Sequence, residues 1–144
     1  MFAMLSKIYH LNLSIELQLG IYSTLVLPIL TYGCEVWGHH NLQAIELFHR
    51  SCLKKILKVS KYTCNSIIYG EMGTFNVELI ISKRMVCFWN SLKVNDKNKI
   101  SSVLLHLTTK FYNTNIMKSK WLLKIKEILI RVGTPYLWNT DGIG

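Results

Sequence analysis

Apolar residues recurring every three or four positions restrict this chain more than any other feature. From Val77 to Leu92, the residues Val77, Ile80, Ile81, Met85, Phe88 and Leu92 fall on one stripe with Arg84 in its middle. That is the spacing of a helix with one buried face. A second stripe of Leu42, Ile45, His49, Cys52, Leu53 and Ile56 predicts a helix over 42–58, opened by Asn41. Upstream, Ser14 is an N-cap candidate with Glu16 in the following turn, and the helix it starts should run to about Tyr32 and stop at Gly33. Pro28 should kink or divide that run. A short helical turn is expected around Asn65 to Tyr69, ended by Gly70 and Gly73, and Asn76 caps the Val77–Leu92 helix. The polar stretch Lys93–Lys99 reads as a loop. Two more helices follow near Ile100 to Phe111 and Ser119 to Arg131, with Gly133 ending the last and Pro135 preventing its continuation. Strand-period alternation is not sustained anywhere, and neither a Gly-rich phosphate loop nor an internal repeat occurs. The expected fold is all-α, with five to six helices in an irregular bundle and no sheet. It is expected to form a single domain over 1–144, comprising a leading segment (1–13), main helices (14–92), a loop (93–99) and C-terminal helices with a tail (100–144).

Half of the residues are apolar and only 17% are charged. A chain of this size hides so much apolar surface only by packing on another domain or subunit. The net charge of +9, from 17 basic against 8 acidic residues, favours polyanions, although a solvated basic surface has the same composition. Cys34, Cys52, Cys64 and Cys87 contain no C-x-x-C pair, and no signal peptide leads the chain, so reduced, buried thiols in a nuclear or cytoplasmic protein are expected. For the same reason the sequon Asn12-Leu13-Ser14 carries no weight. The uncharged run Ile21–Cys34 is shorter than the ~20 residues a bilayer needs and reads as a core helix rather than a membrane span.

Arg50, Lys54, Lys55, Lys58 and Lys61 form the densest basic cluster. Arg50, Lys54 and Lys58 stand at i, i+4 and i+8, opposite the apolar stripe, where a row of cations suits phosphates along a nucleic-acid strand without reading its sequence. His49 and Cys52 are metal-ligand types, but they lie on the packing face and lack the paired spacing of a zinc site. Only two aspartates occur, Asp96 and Asp141, so paired metal-binding aspartates for phosphoryl transfer are missing, and neither an enzymatic activity nor a cofactor is expected. Arg84, inside an apolar stripe, needs an acid, and Glu71 and Glu35 are the candidates for a buried structural ion pair.

The string Leu25-Val-Leu-Pro-Ile-Leu-Thr-Tyr-Gly-Cys-Glu-Val-Trp-Gly38 resembles the segment downstream of the palm in reverse transcriptases of LINE-type (non-LTR) retrotransposons. Ile45-Glu-Leu-Phe-His-Arg-Ser-Cys-Leu-Lys-Lys-Ile-Leu57, Tyr69-Gly-Glu-Met-Gly73 and Lys83-Arg-Met-Val-Cys-Phe-Trp-Asn90 follow in that family's order. Ser119-Lys-Trp-Leu and Tyr136-Leu-Trp-Asn139 resemble its C-terminal tail. The resemblance implies a thumb and post-thumb region, without the polymerase aspartates, whose helices grip the backbone of an RNA–DNA hybrid or duplex. It also implies apolar faces that pack on a palm domain or another protein, with no membrane partner. The alternative the residues leave open is a stand-alone helical protein–protein interaction module with no nucleic-acid role.

Overall fold

A computed structural model describes residues 13–94 and 99–138, and among them every regular element is helical. The expected leading segment up to Asn12, the part of the loop that holds Asp96, and the tail with Asn139 and Asp141 lie outside the described residues. The contacts divide the chain into two compact units. One comprises Met1–Tyr32 with Asn41–Ile80, and the other Gly33–His40 with Ile81–Gly144. Segments close in sequence thus alternate between units, which length and composition cannot reveal.

In the first unit α1 (Ile15–Ile21) starts at Ser14, whose hydroxyl accepts the Leu17 N–H. It continues as a wider π turn over Tyr22–Val26 and then as the short α2 (Leu27–Leu30). Proline explains the change: Pro28 has no N–H to donate, and its ring would strike a carbonyl one turn back. The wider turn, with the Leu27 N–H bonded to Tyr22 O, accommodates it. α4 (Gln43–Ile56) and α5 (Asn65–Met72) complete the packing, after the short α3 (Cys34–Trp37) of the other unit. α5 runs through Gly70 and ends at Gly73, whose φ of 57° is the left-handed form that terminates helices. The core joins Tyr22 and Val26 to Cys52, Leu53, Ile56, Ile68 and Met72.

α6 (Val77–Val94) begins in the first unit and contributes the rest of its length to the second. Lys93 and Val94, assigned above to the loop, are therefore helical. The buried line along α6 is Val77, Ile81, Met85 and Trp89, a strict i+4 series. Arg84 and Phe88 lie beside it and are only half-buried. α7 (Ile100–Asn113) and α8 (Lys120–Val132) follow, then a 3₁₀ turn, Pro135–Trp138. α8 buries Leu122, Ile125, Ile128 and Leu129. Trp89 stacks on Trp138 with ring centroids 5.9 Å apart. The Lys93 ammonium lies 4.3 Å above the Trp89 ring and donates to the carbonyls of Leu137 and Trp138. This cation fastens the final turn by two hydrogen bonds and a cation–π contact.

Candidate nucleic-acid interface

Helix α4 stops two residues earlier than its pattern predicts, and that shift rearranges the basic cluster. The Val59 N–H bonds Lys54 O and the Lys58 N–H bonds Lys55 O, the paired bonds of a Schellman ending. Lys58 occupies the left-handed position of that motif, with φ of 55°. Three other helix ends have the same bonding, with Gly73, Asn115 and Gly133 at this position. Glycine and asparagine tolerate it, whereas a lysine Cβ is strained there by about 1 kcal/mol. Lys58→Gly should therefore raise the unfolding free energy by about 0.5–1 kcal/mol, measured by urea denaturation.

Lys58 thus leaves the helix, and the row Arg50, Lys54, Lys58 does not form. The other two cations of that row are already engaged. Arg50 Nε lies 3.2 Å from Glu46 Oε1, and Lys54 Nζ donates to the backbone carbonyl of Lys61 at 2.7 Å. A lysine near a helix C-terminus finds carbonyls favourable for reasons of charge and dipole. Lys54 consequently ties the loop after α4 back to the helix, and the Ser60 hydroxyl accepts the Tyr62 N–H within it. Lys55, Lys58 and Lys61 are exposed around this loop. Lys61 Nζ lies 5.0 Å from the centre of the Tyr62 ring, which is 84% exposed. What the structure presents is a cationic loop with one bare aromatic ring.

Along α4 lies a polar network of which the sequence pattern marked only Arg50 and His49. His49 is fully buried, its Nδ1 2.6 Å from the Tyr22 hydroxyl and its Nε2 3.2 Å from Phe75 O. A carbonyl can only accept, so Nε2 carries the proton and Nδ1 accepts from Tyr22. Burial holds the His49 pKa below its ordinary 6.5, the nearby Glu46 partly opposing this. The unfolded chain therefore takes up a proton near pH 6.5 that the folded chain resists. Stability should be full above that pH and decline as pH falls below it, a slope that Tm measured between pH 7.5 and 5 will show and that His49→Gln will flatten.

Glu46 organises the remainder. It accepts the Tyr69 hydroxyl and, at 2.7 Å, the Val77 N–H at the start of α6, and it lies beside Arg50. A signal for it existed: on the α4 wheel Glu46 falls within ~20° of the buried Leu53, an unusual place for an acid with no role.

In the second unit Arg84 pairs with Glu35, Nη2 to Oε1 at 2.7 Å and Nε to the same oxygen at 2.8 Å. Glu71, the other acid considered, stands exposed on α5. The pair is not buried as its position in the stripe implied: the Arg84 side chain is 41% exposed. A half-buried pair of this kind contributes about 1 kcal/mol, less than the several of a fully buried one. Arg84 and Glu35 line a groove with Val36, Cys87, Phe88 and Ser91. Glu35 is also held through its backbone, whose carbonyl accepts the Trp121 indole N–H at 2.7 Å.

Neither a protein-family model nor a curated protein nor a solved structure matches this chain. Among the described residues no group of three His, Cys, Asp or Glu side chains could hold a metal ion. Cys34 and Cys52 are buried, but Cys64 and Cys87 are exposed, contrary to four buried thiols. No helix among the described residues is long and apolar enough to cross a membrane.

Proposed function

We propose that this chain is a non-catalytic helical piece that contacts nucleic-acid backbone, as expected of a thumb and post-thumb region like that of LINE-type reverse transcriptases. The observation that carries this reading is the end of α4 and the loop after it, where Lys55, Lys58 and Lys61 are exposed, Lys61 lies over the exposed Tyr62 ring, and Lys54 bonds back to the loop. Cations on a pinned loop meet phosphates without first ordering the backbone, and an exposed ring beside them can stack on a base of any identity. The RNA–DNA hybrid or duplex of the family's primer–template is the ligand this implies. No polymerase step is assigned, because the sequence supplies no pair of metal-binding aspartates.

Fluorescence anisotropy with a short RNA–DNA hybrid across a salt series tests the proposal. Binding should weaken steeply as salt rises, and Lys55→Glu/Lys58→Glu/Lys61→Glu should lower both the affinity and the salt slope, by about one unit of slope per lost phosphate contact. Lys54 is left intact because it holds the loop. An unchanged affinity and slope in the triple variant would refute the assignment.

A further inference from the structure

Helix α7 faces the wrong way for its own stability. Ile100, Val103, Leu104, Leu107 and Phe111 are all exposed, Ile100 at 79% and Leu104 at 57%. At 100° per residue they occupy one stripe of roughly 100°. The side turned inward holds Ser102, Leu105, Thr108, Thr109 and Tyr112. Two of its hydroxyls, Ser102 Oγ and Thr109 Oγ1, are buried with no hydrogen-bond partner among the described residues. Burial of apolar area would favour the opposite rotation. Tyr112 and Asn113 fix the observed one, the first by an edge contact to the Trp138 ring and the second by accepting the Trp138 indole N–H. The stripe continues past the helix into Ile116 and Met117, also exposed, whose N–H groups both bond Phe111 O.

Charge along the stripe narrows what can cover it. Two cations, Lys99 and Lys110, are exposed on one shoulder with the exposed His106 beside them, all within roughly 40° of one another. From Lys99 to Lys126 there is no acidic residue. The opposite shoulder carries Ser101 and Thr108 and no charged residue. An apolar stripe with cations on one shoulder fits another helix that carries acids along the matching shoulder. An in-plane bilayer helix instead uses cations on both shoulders beneath a free polar face. A second copy would set basic shoulder against basic shoulder.

We infer that α7 is a docking face for an amphipathic helix of a partner protein, with apolar residues along its seam and Glu or Asp on the edge that meets Lys99, His106 and Lys110. This interaction is independent of the nucleic-acid loop in the other unit. The probe is a fluorescent three-heptad peptide with Leu at positions a and d and Glu at e and g, alongside a twin with Lys at e and g. The Glu peptide should bind the full chain at least tenfold more tightly than its twin. Leu104→Ser/Leu107→Ser should abolish that binding, and Lys99→Glu/Lys110→Glu should reverse the preference between peptides. Because all four side chains are exposed, these variants should retain the wild-type circular dichroism and melt. Absence of binding, or equal binding of both peptides, would overturn the inference. So would a concentration-dependent dimer in sedimentation, or uptake onto phosphatidylserine vesicles, that disappears with Leu104→Ser/Leu107→Ser.

Discussion

Glu46→Ala should destabilise the first unit by about 3 kcal/mol, a fall in Tm on the order of 10–20 °C. One carboxylate there serves three groups. It accepts the hydroxyl of Tyr69 from α5 and the first N–H of α6 at Val77, and it offsets the charge of Arg50 one turn along α4. Its side chain is only 13% exposed, so water cannot fully replace it. Alanine leaves a tyrosine hydroxyl and a guanidinium without their anion and removes a negative charge from the positive end of a helix. Glu46→Gln keeps the shape and one acceptor and should cost roughly half as much. A second readout separates this account from a general loss of packing. Tyr69 is held far above the ordinary tyrosine pKa, first by burial and then by its bond to Glu46 and the charge of Glu46. In Glu46→Gln a spectrophotometric titration should show one tyrosine ionising at lower pH than in wild type. A melt for Glu46→Ala within 1 kcal/mol of wild type would remove Glu46 from its central place.

Gly38→Ala should cost the second unit about 2–3 kcal/mol. The φ of −62° at Gly38 suits any residue, so backbone freedom is not the reason for glycine. Space is the reason. A Cβ there would overlap Ile81 Cγ2 and would lie 2.6 Å from Cys34 O and 2.8 Å from Met85 Sδ. Ile81 and Met85 are fully buried on α6, and Cys34 O accepts the Gly38 N–H at 2.8 Å, so none of the three can yield freely. Gly20 supplies the control, since a Cβ built on it meets nothing within 4 Å. At that exposed helical position alanine should stabilise by about 0.5–1 kcal/mol. Urea melts of both variants check the contrast, and equal effects of the two substitutions would refute the steric account.

Much of the local structure was legible in advance. Ser14 and Asn76 accept backbone N–H groups at the starts of their helices, and Gly73 and Gly133 stand in the left-handed form at helix ends. Caps act within four residues of chain, and apolar periodicity repeats within one turn, so neighbours in sequence suffice to place them. The candidate site was less legible. The five cations were evident, but a row at i, i+4 and i+8 assumes a helix that persists, and α4 ends before Lys58. Lys58 itself gave no warning, because lysine is not the residue that usually marks a left-handed helix end.

The sequence by itself determined the all-α class, the caps and stops, and the excess of positive charge. The tertiary structure alone decided the rest: that Lys54 bonds back to the loop after α4 instead of standing in a row of cations, that Glu46 joins three helices, and that Arg84 takes Glu35 rather than Glu71 in a half-buried pair. Those contacts join residues 7 to 49 positions apart, and no local pattern encodes such a pairing. α7 marks the limit most clearly. Periodicity can show that one face of a helix is apolar, but which face turns inward depends on what the neighbouring side chains hold, and here Trp138 holds Tyr112 and Asn113.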